Sequence, residues 1–437
     1  MKLQSLLIAT LVAVSAHTTA QTPLTLADCI DMAKRNNVSV SRYRLAISQN
    51  EVALNSARSA HLPTVDASAS QTLNFGRGLN ASNAYVSQNT QNTSFGISAS
   101  LPLFTGFKIP RETAVARLNL AAATADLDKA IEDLGISVAQ AYLQVLYQAE
   151  LMAVSESQLR LSTEQMERFA RMHESGRLAE YDVVQARTLV ATDRSTHVQN
   201  TNAHRLALLD LSQLLELPTP DSLAIATPEE STTPTIEGSP QSIYAEALTG
   251  KAAVKAADLR IKSADKSIES ARSGYLPSLY LTAGLTTGYY NINGTTNDAF
   301  GRQLTNNLSK SVGLTLSIPI FDRFTTRNAI RQAKLALEDY RLQAETVRKI
   351  LYKEIQQAYY NAVASRAKYE ASQSAETDAE AAYHLALKKY EYGRATITEY
   401  SEARTKWERT RIETIQAKYD HLFRTKILDF YRGRELR

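Results

Sequence analysis

The chain has 437 residues, a formal net charge of +4, a single cysteine and 44% hydrophobic residues. A charge so slight and scattered argues against nucleic acid as a partner, and one cysteine rules out an internal disulfide. Past the first residues no stretch is long and apolar enough for a spanning helix, so a membrane location would require a closed β-barrel.

Residues 1–20 read as a secretory signal: Lys2, an apolar core from Leu6 to Val14, and the small residues Thr18, Thr19 and Ala20 before Gln21. The mature chain is expected to open with a helix capped by Thr25 or Asp28, broken near Asn36 and Asn37, and ending about residue 60. Leu26-Ala-Asp-Cys29 only slightly resembles a lipid-attachment site, because Asp28 is not small, and Cys29 reads as a buried helix residue. After His61-Leu-Pro63, alternation predicts a strand over 64–75, then a polar loop over 76–92 and a second strand over 94–104. A helical run over 111–175 carries Leu127, Ile131, Leu134, Val138, Tyr142 and Val145 at steps of three and four, one apolar stripe. At about 1.5 Å per residue it would be roughly 95 Å long, more than a compact domain needs. Gly176 breaks it, and a return helix is expected from Asp182 to Glu216.

Residues 217–240 are rich in proline and form a linker or small irregular segment. Then the pattern restarts. Leu276-Pro277 repeats Leu62-Pro63 at an offset of 214, and Pro319, Phe321, Tyr359, Gly393 and Arg404 repeat Pro102, Phe104, Tyr142, Gly176 and Arg187 at 217. The first repeat spans 21–216 and the second 241–437, with strands 277–288 and 311–321 and a helical hairpin 326–432 matching that at 111–216. Pro63, Pro102, Pro277 and Pro319 mark the junctions of strand and helix. Four strands cannot close a barrel alone, and helices this long need partners outside the chain. Ile97, Leu101, Leu103, Leu314, Leu316 and Ile318 are expected to face lipid, with Phe75, Phe104, Tyr289, Tyr290 and Phe321 as interfacial belts.

The opening Leu24-Thr-Leu-Ala-Asp-Cys-Ile-Asp-Met-Ala, the paired Ala-Arg-Ser-x-x-Leu-Pro segments, Leu101-Pro-Leu-Phe-Thr-Gly106 with Ile318-Pro-Ile-Phe-Asp-Arg323, and the two glycine-centred hairpin tips recur in order. In these the sequence closely resembles the outer-membrane efflux protein family, the TolC family. The resemblance implies an α+β membrane protein: a homotrimer sharing a twelve-stranded barrel, four strands per chain, continued by an α-helical barrel of hairpins. It further implies the outer membrane of a Gram-negative cell, with the helices in the periplasm. There it would be the passive duct of a tripartite efflux pump or type I secretion system, meeting outer-membrane lipid, a periplasmic adaptor (membrane fusion) protein and an inner-membrane RND, ABC or MFS transporter. The alternative is a non-conducting structural coiled-coil protein of the envelope, against which the alternating strands argue.

No catalytic set stands out, and the chain reads as a non-enzyme without cofactor or metal. His61, His173, His197, His204, His384 and His421 are scattered, and the seven-residue spacing of His197 and His204 is not that of a metal site. At the tips, Asp182 and Glu399 each follow a turn glycine by six residues, and Glu402 lies three further on. Carboxylates there complement a helix N-terminus. The resemblance implies a second role, acidic rings at a gated periplasmic entrance from Glu399 and Glu402, with Tyr390 and Asp182 matching a closing hydrogen bond. Gly176, Arg177, Gly393 and Arg394 are the expected tip turns and adaptor contacts. Ala395 stands where the family pattern has an arginine, for which Arg177 and Arg394 are the candidate substitutes.

Overall fold

The computed structural model describes residues 23–79, 83–219, 223–226 and 238–434. The expected signal at 1–20 and much of the expected linker lie outside them. In chain order the elements are α1 (Leu26–Asn36), α2 (Val38–Ser59), β1 (Thr64–Asn74), β2 (Arg77–Leu79), β3 (Tyr85–Ser87) and β4 (Thr90–Thr105). They continue with α3 (Lys108–Glu174), α4 (Glu180–Leu214), α5 (Pro240–Gly250), α6 (Ala252–Arg272), β5 (Ser278–Ile292) and α7 (Phe300–Asn306). Last come β6 (Ser309–Ser317), α8 (Thr325–Glu391) and α9 (Ile397–Tyr431). Among the described residues no helix is long and apolar enough to cross a membrane.

The chain divides into two compact units, and neither is a sequence repeat. One comprises 1–38, 131–243 and 355–437; the other comprises 39–130 and 244–354. Each repeat gives its strands to the second unit and its helical hairpin end to the first, so the units are assembled across the repeats.

In the second unit the sheet runs β1-β4-β5-β6, antiparallel throughout. The two hairpins share one register: Thr64 faces Ser100, and at the repeat offsets Ser278 faces Ser317. Side chains alternate across a strand, so the rows sort into two faces. Val65, Ala99, Ala283 and Val312 form one row and Leu101, Leu281 and Leu314 another; on the opposite face lie Asp66, Ser98, Gly284 and Ser311, then Ser68, Gly96, Thr286 and Ser309. β1 and β6 are edge strands and are exposed along their whole length.

Strand limits depart from expectation where pairing decides them. β4 begins at Thr90 because Thr90 still pairs with Asn74 and Ile292. Pro102 lies inside β4, beside a bulge between Pro102 and Phe104, where a residue without an N–H is tolerated. β6 stops at Ser317, opposite the first residue of β5, so Ile318, Pro319 and Phe321 fall beyond it. The polar loops hold the β2–β3 ribbon and α7, both unforeseen. Pro63 and Pro277 immediately precede β1 and β5. At the strand-to-helix junctions Gly106 and Phe107, and at the repeat offset Arg323 and Phe324, all have positive φ.

In the first unit Thr25 caps α1 through a capping box with Asp28, whose carboxyl is held low by the Thr25 hydroxyl and amide. Asn37, extended, interrupts α1 and α2; in the second unit Lys251, 214 residues on and also extended, interrupts α5 and α6. The core packs Leu26, Cys29 and Ile30 of α1 on Val138, Tyr142 and Val145 of α3 and Ala207 and Leu211 of α4. Cys29 is fully buried and free, and burial pushes its thiol up to about 11. The Tyr142 hydroxyl donates to the carbonyls of Ala226 (2.5 Å) and Leu24 (3.3 Å), tying two backbone segments that also bridge each other. Tyr142→Phe should therefore cost about 1–2 kcal/mol in denaturant unfolding of the detergent-solubilised protein; an unshifted midpoint would show the hydroxyl to be dispensable.

Candidate functional site at the hairpin tips

The first unit carries both helical turns at which the long helices reverse. Each uses the same device. Gly176 (φ +72°) and Gly393 (φ +68°) take the left-handed conformation that ends α3 and α8. The Arg177 N–H donates to the Met172 carbonyl (2.9 Å) and that of Arg394 to the Lys389 carbonyl (2.8 Å), the wider of the two bonds of a Schellman turn. The side chains of Arg177 and Arg394 are exposed, and Ala395 is half-buried.

The return helices start differently. α9 begins with a capping box: Thr396 accepts from the Glu399 N–H (3.2 Å), and the Glu399 carboxylate accepts from the Thr396 N–H (2.9 Å). The Thr-x-x-Glu signature was there to be read. α4 has Ala179 at the matching position, with no side-chain cap, and carries Glu180 and Asp182 in its first turn, two residues earlier than the expected start. Glu402 is exposed on α9. Glu399 is thus already engaged at its own helix end, while Glu402 is not part of that cap.

The structure brings the two hairpins together just behind the turns. Phe169 of α3 and Val183 and Ala186 of α4 form a buried cluster, with Tyr390 of α8 and Ile397 of α9 packed on it. Arg168 of α3 meets Glu391 of α8 at 2.7 Å. The Tyr390 hydroxyl is buried without a hydrogen-bond partner among the described residues. Burial, and the nearby charge of Asp182, push it up to about 12. Asp182 and Tyr390 are therefore neighbours in one chain without the hydrogen bond between them that the resemblance implies.

Behind Tyr390 runs a column of rings not anticipated from sequence. Tyr390 stacks on Tyr400 (5.6 Å between centroids), Tyr400 lies 5.9 Å from Tyr383, and Tyr383 stacks on Trp407 at 4.7 Å and 12°. The Trp407 Nε1 is also buried and unpartnered among the described residues. Alongside lies a buried ion set between α4 and α9. Arg404 Nη2 is 2.8 Å from Asp193 Oδ2, and its Nε is 2.6 Å from Glu408 Oε1. Burial pushes the Glu408 carboxyl up, with Arg404 pulling against it; for Arg404, burial works downward but Glu408 and Asp193 outweigh it.

Among the described residues no group of three or more His, Cys, Asp or Glu is placed to hold a metal ion. His197 and His421 each have Nδ1 near a serine hydroxyl, Ser155 (3.3 Å) and Ser365 (3.4 Å), within separate helix pairs. The tips offer charge, hydrogen bonds and two left-handed glycine turns.

A family described as "Outer membrane efflux protein" matches residues 29–216 and 243–429. The outer membrane efflux protein BepC of Brucella suis biovar 1 (strain 1330) is 24% identical over 396 residues, covering 91% of this chain and 82% of that one. Outer membrane protein TolC of Escherichia coli (strain K12) is 25% identical over 378 residues, 84% and 74% of the respective chains. Among solved structures, the outer membrane protein VceC of Vibrio cholerae superposes with a TM-score of 0.75 at 16% identity, over 94% of this chain and 97% of that one. The open state of the Neisseria gonorrhoeae MtrE outer membrane channel gives 0.74 at 19%, over 94% and 89%.

Proposed function

The chain belongs to the outer membrane efflux protein family, and on that footing we propose that it is the passive outer-membrane duct of a tripartite efflux pump or type I secretion system. Channels of this family transport and do not catalyse, so the chain is not an enzyme. Three copies close one twelve-stranded barrel in the outer membrane, and their helical hairpins continue the duct into the periplasm. The tips meet a periplasmic adaptor, and energy enters through an inner-membrane RND, ABC or MFS transporter.

The observation that carries this reading is the sheet. One face carries the apolar rows of Val65, Ala99, Ala283 and Val312 and of Leu101, Leu281 and Leu314, and the row of Ala67, Ile97 and Leu285, which ends at Lys310 on the β6 edge. The other is mostly Ser, Thr and Gly with Asp66 on the β1 edge, and both edges are unpaired within the chain. Lipid outside, water inside and strands from neighbouring copies at the edges satisfy all three at once.

Planar-bilayer recording tests the duct and its acidic mouth together. Wild-type trimers should give cation-selective openings that divalent cations block, as rings of carboxylates do. Glu402→Ala should relieve the block while leaving α9 capped. Glu399→Ala also removes the capping box, worth about 1 kcal/mol, so its effect mixes the two roles. Block that persists in Glu402→Ala would remove Glu402 from the mouth.

A further inference from the structure

We propose that Asp193, Arg404 and Glu408 form a latch that holds the two hairpins of one chain together behind their tips, and that it must part for the duct to widen there. The inference rests on the duct reading above. Arg404 is 5% exposed, and it joins α4 of the first hairpin to α9 of the second through Asp193, while Glu408 supports it from the next turn of α9.

The repeat shows that this set is not a by-product of duplication. Arg187 occupies the position of Arg404 in the first hairpin and is exposed. The positions matching Asp193 and Glu408 at the 217-residue offset are Thr410 and Ala191. The two acids therefore occur only where α9 meets α4 within the chain.

Chemistry favours a parting surface over a permanent one. A buried ion set holds helices together less well than apolar residues of the same volume, so bulk stability does not call for it. Its halves are, however, well solvated once water enters, whereas a parted apolar seam would leave hydrophobic surface exposed. Tyr400, one turn from Arg404, stacks on Tyr390 at the tip, so the latch and the turn share one column of rings. Trp407, the only tryptophan of the chain, ends that column against Tyr383.

The test reads conductance in planar bilayers beside Trp407 emission in detergent. Arg404→Leu leaves the buried Asp193 and the partly covered Glu408 without their shared cation and should raise conductance roughly tenfold while shifting Trp407 emission to longer wavelength. Replacing all three residues by leucine should return both readings to the wild-type values, which a merely weakened fold would not do. Arg404→Leu trimers with wild-type conductance and emission would overturn the latch. If Arg404→Leu does not assemble, Glu408→Gln decides: a smaller shift of both readings supports the latch, and none overturns it. Asp182→Ala/Tyr390→Phe serves as reference. Opening there without opening in the latch variants sinks the latch alone, and no current from any assembled variant sinks the duct and the latch together.

Discussion

A single arginine in place of Leu314 should stop the protein from assembling in the outer membrane. Leu314 sits mid-strand in β6, opposite Leu281, which in turn faces Leu101 in β4. It is 66% exposed in the single chain, on a face with Val312 and Leu316. If that face meets hydrocarbon, arginine costs about 2–4 kcal/mol near the bilayer midplane, and a shared barrel incurs it in every copy. Three such penalties, roughly 6–12 kcal/mol, rival the whole stability of a typical protein. Thr315→Arg, one residue on and on the Ser/Thr/Gly face, should assemble and turn the pore toward anions. Heat-modifiable mobility in gels of outer-membrane fractions distinguishes the two. Normal assembly of Leu314→Arg would show that this face does not touch lipid.

The second large effect is expected from Asp182→Ala combined with Tyr390→Phe, which should hold the pore open without any partner. Among the described residues of the single chain the Tyr390 hydroxyl has no acceptor, yet Asp182 is near enough for its charge to be felt. A hydrogen bond to a charged group is worth about 1.5–3 kcal/mol. Made in each of three closed chains and lost together, it would shift the closed-to-open ratio by more than about a hundredfold. Tyr390→Phe alone separates two accounts by sign. If the hydroxyl stays orphaned in the assembly, removing it stabilises the protein and leaves conductance unchanged. If it closes the pore through Asp182, conductance rises.

Much of this was legible in the sequence because its signals are local. Period-two alternation marks the strands, Gly176 and Gly393 mark the turns, and the repeat offsets align Leu62-Pro63 with Leu276-Pro277. The interruption near Asn37 was expected, and Lys251 echoes it. What escaped notice depends on residues far apart in the chain. Arg404 was only a landmark of duplication until Asp193, 211 positions away, appeared beside it. Likewise the stacking of Tyr383 on Trp407 depends on how α8 and α9 settle against each other, which no single helix stripe encodes. The end of β6 belongs to the same class, since a strand ends where its partner does.

That early end has a consequence for symmetry. β4 carries its pairing to Thr105 only because β5 lies along its second side, while β6, the repeat counterpart of β4, has a neighbour on one side and stops at Ser317. The internal seam pairs Ala99 with Ala283. Moved by the two repeat offsets, that pair becomes Leu316 and Ala69, which lie on the two open edges. If copies join by the rule that joins the halves, the sheet is a tile whose left and right margins match. Leu316 of one copy should meet Ala69 of the next, and Ile318 through Phe321 should become strand only when that neighbour arrives. A ring of three chains would then be a ring of six near-identical wedges, its threefold axis concealing an approximate sixfold one.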